Sequence, residues 1–283
     1  DANVLITGEN GTGKELIAQE IHRLSNRAAE LLVSVDMGAI TETLFESELF
    51  GHVKGAFTDA RENRQGKFEI AHRGSLFLDE IGNLSFHLQS KLLAAIENRQ
   101  ISRVGSNQLI PIDIRLICAT NKSLENMVKE GLFREDLLYR INTIQIELPP
   151  LRERGNDIII LSEFFLRRYT RKYNKPEMRI NQHAIDKLME YSWPGNIREL
   201  QNTIEKAVIL SESSVIKPED LYLRPAPEIK NLDSITTLEE MEERMIQLAL
   251  GKNNGNFTAA AEQLGITRQT LYNRIKKTRQ DDK

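Results

Sequence analysis

The residues best suited to chemistry lie near the start of the chain. Positions 8–14 read Gly-Glu-Asn-Gly-Thr-Gly-Lys directly after the apolar run Val4–Thr7. A loop of this kind between a strand and a helix points backbone N–H groups and a helix N-terminus at a phosphate, and the lysine adds a positive charge. The sequence therefore predicts a phosphate-binding loop made of Gly8, Glu9, Asn10, Gly11, Thr12, Gly13, Lys14 and the following Glu15.

A second group of polar residues follows two other apolar runs. Asp79 and Glu80 end the run Ser75–Leu78, and Asn121 ends the run Arg115–Thr120. Parallel strands bring their carboxyl ends to one edge of a sheet, where one carboxylate can hold Mg²⁺ through water and the next can polarise an attacking water. These residues predict hydrolysis of a nucleoside triphosphate. Two solvated acids and a turn asparagine are the alternative interpretation.

The apolar runs that must position these groups alternate with amphipathic segments as far as about residue 148. That alternation predicts an α/β fold, a parallel sheet covered by helices. The predicted strands are Val4–Thr7, Leu32–Asp36, Ser75–Leu78, Ile114–Thr120 and Thr143–Leu148. Helical spacing of apolar residues predicts one amphipathic helix that carries Leu84, Leu88, Leu92, Leu93 and Ile96. The turn Gly105-Ser106-Asn107 predicts a hairpin between 101–103 and 109–112.

The remainder of the chain reads as helical. Pro149-Pro150 stops the last strand, and three helices are predicted near Asp157–Tyr173, Asn181–Tyr191 and Asn196–Ser211. Pro225 and Pro227 mark a linker. The predicted domains are an α/β subdomain over 1–149, an all-helical lid over 150–223, a linker over 224–235 and a terminal unit over 236–283, with helices at 236–250, 257–264 and 267–278.

The terminal unit has the pattern of a helix-turn-helix. Small residues fill a helix before Gly265, and the next helix and its tail are basic without an intervening acid. Such a helix can neutralise DNA phosphates and read base edges, and a protein-binding helical tail is the alternative. The predicted DNA-binding residues are Thr267, Arg268, Gln269, Thr270, Asn273, Arg274, Lys276 and Lys277. The first helix of the unit places Met241, Met245, Leu248 and Ala249 on one side, which favours pairing with another copy.

Composition limits the classes of protein that remain. The 283 residues are enough for two or three units, and no apolar run approaches the roughly 18 residues of a membrane span. The single cysteine, Cys118, excludes an internal disulfide and favours a reducing, cytoplasmic setting. Net charge is −3, so any DNA contact must come from local clusters of basic residues. Because the chain opens at Asp1 within a nucleotide-binding pattern, we expect a piece of a longer protein whose adenine contacts lie upstream.

A glycine-rich loop between the two nucleotide signatures carries the most specific signal. Residues 55–60 read Gly-Ala-Phe-Thr-Asp-Ala. This segment closely resembles the GAFTGA loop of the bacterial enhancer-binding proteins, the AAA+ ATPases that remodel RNA polymerase carrying sigma-54. The loop residues are Gly55, Ala56, Phe57, Thr58, Asp59 and Ala60, and Asp59 replaces the family's glycine.

Two further segments extend the resemblance to residue roles. Residues 133–140 match the family segment that supplies two arginines, here Arg134 and Arg140, to the neighbouring subunit's site, and surface salt bridges to Glu135 and Asp136 are the alternative. Residues 193–200 match the family's sensor II, which aims Arg198 at the phosphates. Asn121 corresponds to sensor I, which orients water near the γ-phosphate.

The resemblance covers essentially the whole chain and implies a sigma-54-dependent transcriptional activator of the NtrC type with a Fis-type DNA-binding domain. Its implied cofactors are ATP and Mg²⁺, the latter held by Asp79 through water. The implied partners are sigma-54 RNA polymerase holoenzyme, enhancer DNA and further copies of the chain, as a dimer through the DNA-binding domain and as a hexameric ring. The resemblance also implies a two-component system.

Two positions depart from the family pattern. Asp36 stands where asparagine commonly bonds the catalytic glutamate, and an aspartate facing Glu80 would repel it. Together with Asp59 it keeps open a DNA-binding regulator that has a nucleotide site but has lost sigma-54 remodelling. A replication loader and a protein-unfolding ATPase are less compatible with the loop and with the basic terminal helix.

Overall fold

The computed structural model describes residues 1–38, 42–223, 242, 245–247, 249–250, 253 and 256–281, without the side chains of 42, 43 and 275–281. They belong to two compact units, Asp1–Leu223 and Arg224–Lys283. No helix in the described part of the chain is long and apolar enough to cross a membrane. The predicted linker 224–235 lies outside the described residues.

The first unit is built on a sheet of five parallel strands. Its described strands are β1 (Val4–Thr7), β2 (Leu32–Asp36), β3 (Gly51–His52), β4 (Arg64–Gln65), β5 (Ser75–Asp79), β6 (Gln100–Ser102), β7 (Leu109–Pro111), β8 (Arg115–Thr120), β9 (Ile144–Glu147), β10 (Arg179–Ile180) and β11 (Val215–Ile216). The main sheet runs in the order β2-β5-β8-β1-β9, while β3 with β4 and β6 with β7 form antiparallel hairpins. The α/β prediction is confirmed.

Helices connect and cover the strands. They are α1 (Lys14–Arg23), α2 (Glu42–Phe50), α3 (Lys67–Ile70), α4 (Phe86–Asn98), α5 (Leu124–Lys129), α6 (Glu135–Ile141), α7 (Asp157–Lys172), α8 (Gln182–Glu190) and α9 (Asn196–Leu210). The predicted amphipathic helix is α4, but it begins two residues after Leu84. Leu84 instead ends a 3₁₀ turn over Ile81–Asn83, where it is still buried in the core.

Alternate residues of each central strand enter different cores on the two faces of the sheet. In β8, Leu116 and Cys118 join the larger core, and Ile117 and Ala119 join the smaller one. A strand points successive side chains to opposite faces, so an uninterrupted apolar run is what a sheet covered on both faces requires. Burial raises the pKa of the Cys118 thiol, which makes it an inert core residue.

The lid packs around one tryptophan. Trp193 is fully buried, its Nε1 donates a hydrogen bond to the Leu188 carbonyl at 2.8 Å, and the Tyr191 ring meets it edge-on at 5.0 Å. Helices α7, α8 and α9 supply most of the surrounding core. The sequence did not predict the two-residue parallel pair β10 and β11, which is too short to show an alternating pattern.

The second unit contains the predicted pair of helices. These are α10 (Phe257–Gln263) and α11 (Arg268–Asp281), and Gly265 makes the turn with a left-handed φ of 67°. Most of the predicted helix 236–250 lies outside the described residues, among them Met241 and Leu248. Its described positions are helical, with Ile246 and Ala249 buried against Ala260 and Leu271 and with Met245 exposed.

Candidate functional site

The predicted phosphate-binding loop lies between β1 and α1 at the carboxyl edge of the sheet. Gly11 and Gly13 have φ values of 79° and 99°, which favour glycine. A Cβ on Gly11 would lie 2.3 Å from the Gly195 carbonyl oxygen of the lid. The loop therefore depends on glycine both for its conformation and for its close approach to the lid.

Lys14 ties this loop to the neighbouring acidic residues. Its side chain is almost fully buried, and Nζ donates to the carbonyl oxygens of Gly8 at 3.0 Å and Glu9 at 3.3 Å. Nζ also lies 3.6 Å from Glu80 Oε1. The lysine therefore places its positive charge between the phosphate-binding loop and the end of β5, where a triphosphate would carry its negative charge.

Glu80 adopts an unusual backbone conformation at the end of β5. Its φ is 56°, a left-handed value that costs free energy for a residue other than glycine and is often found at functional sites. The Glu80 carboxylate also accepts a long hydrogen bond of 3.4 Å from the backbone N–H of Asn121. The structure thus brings Lys14, Glu80 and Asn121 together, as the sequence predicted that they would meet at one edge.

Asp79 lies beside two other carboxylates. Burial raises the pKa of Asp79, and the charges of Glu80 and Asp36 raise it further, the latter by a smaller amount. Asp36 is the cross-strand partner of Asp79, and its Oδ1 accepts the Gly38 backbone N–H at 2.8 Å. No cluster of three or more acidic or histidine side chains in the described part of the chain could hold a metal ion by itself, but Mg²⁺ is commonly bound by one carboxylate together with water and substrate phosphates. Asp79 is the residue that would hold it.

Two members of the predicted loop turn their side chains elsewhere. Glu15 is exposed and accepts a hydrogen bond of 3.4 Å from Gln19 on the outer side of α1. Glu9 faces the lid, where Arg152 and Asn196 bind its carboxylate and hold its pKa at about 2. Local sequence pattern could not identify Arg152 and Asn196 as site residues, because they lie 143 and 187 positions from Glu9.

The lid places Arg198 close to the phosphate-binding loop. The backbone N–H of Ile197 donates to the Gly11 carbonyl at 3.0 Å, and Arg198 Cβ would lie 3.2 Å from a Cβ built on Gly11. The Arg198 side chain is exposed. The start of α9 therefore sits on the loop, with a guanidinium free to turn towards a bound phosphate.

The two other predicted arginines lie on or beside α6. The Arg134 guanidinium forms a two-bonded pair with Asp136, donates to Ser90 Oγ at 3.1 Å and lies over the Phe86 ring. Arg140 is exposed, and its backbone carbonyl accepts from Asn3 Nδ2. Among the hydrogen bonds of the described residues, neither guanidinium contacts the phosphate-binding loop. Within this single chain, Arg134 therefore forms the salt bridge with Asp136 that the alternative interpretation expected.

The glycine-rich loop is a folded projection from the hairpin of β3 and β4. Gly55 N–H donates to the Ala60 carbonyl at 2.8 Å, and Ala60 N–H donates to the Phe57 carbonyl at 3.0 Å. Phe57 is 40% exposed, and one edge of its ring packs on His52 with the ring centres 5.0 Å apart. Gly55 has a left-handed φ of 84°, whereas Asp59 is not among the described residues with positive φ. The aspartate therefore occupies its position without backbone strain.

The hairpin of β6 and β7 braces this loop. Val53 N–H donates to the Val104 carbonyl at 3.1 Å, and Val104 N–H donates to the Gly51 carbonyl at 2.9 Å. At Gly105, whose φ is 80°, an added Cβ would lie 2.8 Å from Ala56 Cβ. The base of the glycine-rich loop is therefore held against the turn that joins β6 to β7, a long-range contact that the sequence did not predict.

The helix α11 presents most of its predicted contact residues to solvent. Arg268, Gln269, Asn273 and Arg274 are exposed, and Gln269 Nε2 donates weakly to Asn273 Oδ1 at 3.4 Å. Thr267 Oγ1 accepts from the Thr270 backbone N–H at 3.1 Å at the start of the helix, and Arg274 pairs with Glu242. The side chains of Lys276 and Lys277 lie outside the described part of the chain.

The fold and the site define an AAA+ P-loop protein with a helical lid and a helix-turn-helix unit. The "Sigma-54 interaction domain" family matches residues 1–147, more than half of the chain, so the chain belongs to that family. The "AAA+ ATPase lid domain" family matches 152–232, and the "Bacterial regulatory protein, Fis family" matches 237–277.

Curated relatives include several regulatory proteins. The transcriptional regulatory protein ZraR of Salmonella typhimurium is 49% identical over 278 residues, covering 97% of this chain and 63% of ZraR. The response regulator protein PilR of Pseudomonas aeruginosa is 44% identical, covering 98% of this chain and 64% of PilR. The chain thus spans slightly less than two thirds of the length of these relatives.

Solved structures agree with the fold. NtrX of Brucella abortus in complex with ATP superposes with a TM-score of 0.72 at 32% identity, covering 98% of this chain and 63% of NtrX. An Hsp104 reconstruction, at 18% identity and a TM-score of 0.55, is similar in fold alone.

We expect Asp79→Asn to raise the stability of the chain at neutral pH in a buffer without divalent cations. An aspartate whose folded pKa is raised destabilises the folded state once it ionises, and this penalty is absent below its unfolded pKa of about 4. The gain in thermal midpoint should therefore be present at pH 7.5 and vanish near pH 3.5. Thermal melts across this range test it. The control is Asp186→Asn, because Asp186 is exposed in the middle of α8 and an asparagine there can still accept the hydrogen bond from Gln182. A gain that is equal at both pH values would contradict the charge explanation.

Proposed function

We propose that this chain hydrolyses ATP with Mg²⁺ and uses the reaction to remodel RNA polymerase carrying sigma-54, while its terminal unit binds upstream enhancer DNA. The observation that carries the proposal is the meeting of Lys14, Glu80 and Asn121 at the carboxyl edge of a parallel sheet. Ligands bind at such an edge, and a lysine in a phosphate-binding loop and a residue that activates or orients the attacking water are recurring parts of phosphoryl transfer.

Each residue of the site takes one role. The N–H groups of residues 8–13 and Lys14 bind the phosphates. Asp79 would hold Mg²⁺ through water, and the ion would supply positive charge for phosphoryl transfer. Glu80 accepts a proton from the attacking water, Asn121 orients that water, and Arg198 reaches the phosphates from the lid. Lys14 Nζ lies 3.6 Å from Glu80 Oε1, so the phosphate-binding lysine and the proposed general base face the same space.

Arg134 and Arg140 act on the site of a neighbouring copy in a ring, which we propose to be a hexamer. Support comes from their position on α6, where Arg134 is engaged by Asp136 and Ser90 instead of by its own phosphate-binding loop. An arginine finger contributes roughly 10³ to 10⁵ in rate. Hydrolysis should therefore depend on assembly, since one copy alone lacks this charge.

The loop Gly55–Ala60 is the part of the chain that acts on sigma-54. Phe57 and Thr58 contact sigma-54, and the proposed motion is a rise of the loop when ATP is bound. The exposed Phe57 ring and the hydrogen-bonded loop base support a projecting contact of defined shape. The hairpin of β6 and β7 would move with it, because backbone hydrogen bonds from Val104 to Val53 and Gly51 join the two.

The terminal unit holds the ring at its DNA site. Exposed Arg268, Gln269 and Asn273 are suited to base edges in the major groove, where arginine favours guanine and the amides favour adenine. The DNA backbone would be contacted by Thr267, Thr270, Arg274, Lys276 and Lys277. Two copies of the unit would pair to read a symmetric DNA site. PilR is described as a response regulator, and we propose that this chain likewise belongs to a two-component system.

One observation favours a second candidate function. Asp59 adds a negative charge at the loop where the family has glycine. The chain would then be a DNA-binding regulator that retains its nucleotide site but does not remodel sigma-54. Asp59 is not among the described residues with positive φ, so the backbone itself does not require glycine at this position.

We expect Glu80→Gln to retain ATP binding and to lower the rate of hydrolysis by about 10²- to 10⁴-fold, because it removes the general base. Binding of a fluorescent ATP analogue and phosphate release measure the two steps separately. The matched control is Glu125→Gln, which changes an exposed acid on α5 and should leave both unchanged. A Glu80→Gln variant that hydrolyses ATP at the normal rate would contradict the assigned role.

We expect the natural loop to capture purified sigma-54 when the chain is held with ADP and aluminium fluoride, a mimic of the hydrolysis transition state. Asp59→Gly should capture a similar amount, and Phe57→Ala should capture little because the aromatic contact is lost. Co-migration on a sizing column measures capture. If only Asp59→Gly captures sigma-54, the second candidate function replaces the first.

A further inference from the structure

The Glu9 carboxylate is bound by residues of the lid, although Glu9 itself is part of the phosphate-binding loop. Arg152 donates to it from both terminal nitrogens, at 2.7 and 3.0 Å, and Asn196 Nδ2 donates at 3.0 Å. Three donors from the lid thus bind one side chain of the phosphate-binding loop. Paired N–H bonds from one guanidinium also fix the orientation of the carboxylate.

Asn196 makes this contact rigid. The residue is fully buried, its φ is 52°, and its Oδ1 accepts the Leu151 backbone N–H at 2.7 Å. Its Nδ2 also donates to the Asn10 carbonyl at 3.0 Å. The Asn196 side chain is therefore hydrogen-bonded both to the phosphate-binding loop and to Leu151, where the chain enters the lid. Asn196 is also the first residue of α9.

Further bonds join the same two regions. Arg154 Nη2 donates to the Thr12 carbonyl at 3.0 Å, and Ile197 N–H donates to the Gly11 carbonyl at 3.0 Å. The carbonyl groups of Gly11 and Thr12 thus accept hydrogen bonds from the lid, and the N–H groups of the loop are the ones proposed to bind phosphate. A change in the angle of the lid must break these bonds or move the loop with it.

We propose that Glu9 is a positioning residue, which with Arg152 and Asn196 forms a lid clasp that transmits the angle of the lid to the phosphate-binding loop. This rests on the proposed nucleotide function of the loop. Nucleotide affinity is then set partly by where the lid stands, and a neighbouring copy or partner that moves the lid changes ATP binding without touching the phosphates.

The chain offers a matched set of variants. Glu9→Gln keeps the shape but removes the charge, and Arg152→Met removes the guanidinium fork. Glu153→Gln is the control, because Glu153 lies 3.8 Å from the same arginine but is exposed and does not contact the loop in the hydrogen bonds of the described residues. Arg152→Lys tests whether charge alone suffices, which we do not expect at a paired-bond site.

Affinity for a fluorescent ATP analogue is the first measurement. We expect Glu9→Gln and Arg152→Met each to weaken binding by roughly three- to tenfold, and the double variant to be no weaker than the weaker single one, since coupled residues lose one shared interaction. Arg152→Lys should resemble Arg152→Met, and Glu153→Gln should match the natural chain. Losses that multiply in the double variant would overturn the proposal, because Glu9 and Arg152 would then act independently.

Backbone hydrogen exchange gives a second measurement that does not need nucleotide. In both clasp variants, exchange should rise together in residues 8–13 and 193–198 and stay normal in Glu153→Gln. A rise confined to one of the two segments would overturn the clasp. If the natural chain binds no ATP, the proposed function fails, and the exchange result still decides whether the clasp exists.

Discussion

The buried ammonium of Lys14 is the interaction on which the rest of the site depends. A charge that is almost fully removed from water must be paired and hydrogen-bonded, or it becomes very costly. Here the partners are the carbonyl oxygens of Gly8 and Glu9 on one side and the Glu80 carboxylate on the other. The lysine therefore holds the phosphate-binding loop close to the end of β5. Its positive charge lies where a bound triphosphate would carry negative charge.

The other features of the site are linked to that pair. Glu80 is held at a left-handed φ and accepts the Asn121 backbone N–H from the adjacent strand. Asp36 and Asp79 lie opposite one another in the sheet register, so their repulsion is built into the pairing of β2 with β5. On the far side, the lid clasp connects Glu9 to α9. The site is therefore a junction of the carboxyl ends of four strands, β1, β2, β5 and β8, and the lid.

Much of the fold could be predicted from local pattern. The strands Val4–Thr7 and Leu32–Asp36 match their predicted bounds, because each is a short apolar run that a glycine or an acidic residue ends, whether the strand is central like β1 or at the edge like β2. Leu84 was assigned to a helix because its spacing fits, although the chain first makes a 3₁₀ turn. Position in a period does not fix where a helix begins.

Contacts between distant residues could not be predicted in the same way. Nothing in the spacing of Glu9, Arg152 and Asn196 indicates that they meet, because the fold alone brings them together. The contact of Gly105 with Ala56 likewise depends on two hairpins that are separate in sequence. The charge of Asp59 is evident from its residue type, but its backbone angle is not, and the angle decides whether glycine is needed.

The most direct test of the central claim is the opening of promoter DNA by sigma-54 RNA polymerase in the presence of this chain. Single-stranded thymines at the start site can be detected by permanganate in matched reactions with ATP, with ADP, and with Lys14→Ala. We predict that the promoter opens only in the reaction that contains both ATP and the natural chain. Equal opening with Lys14→Ala, or none with a natural chain that hydrolyses ATP, would contradict the coupling of this nucleotide site to sigma-54.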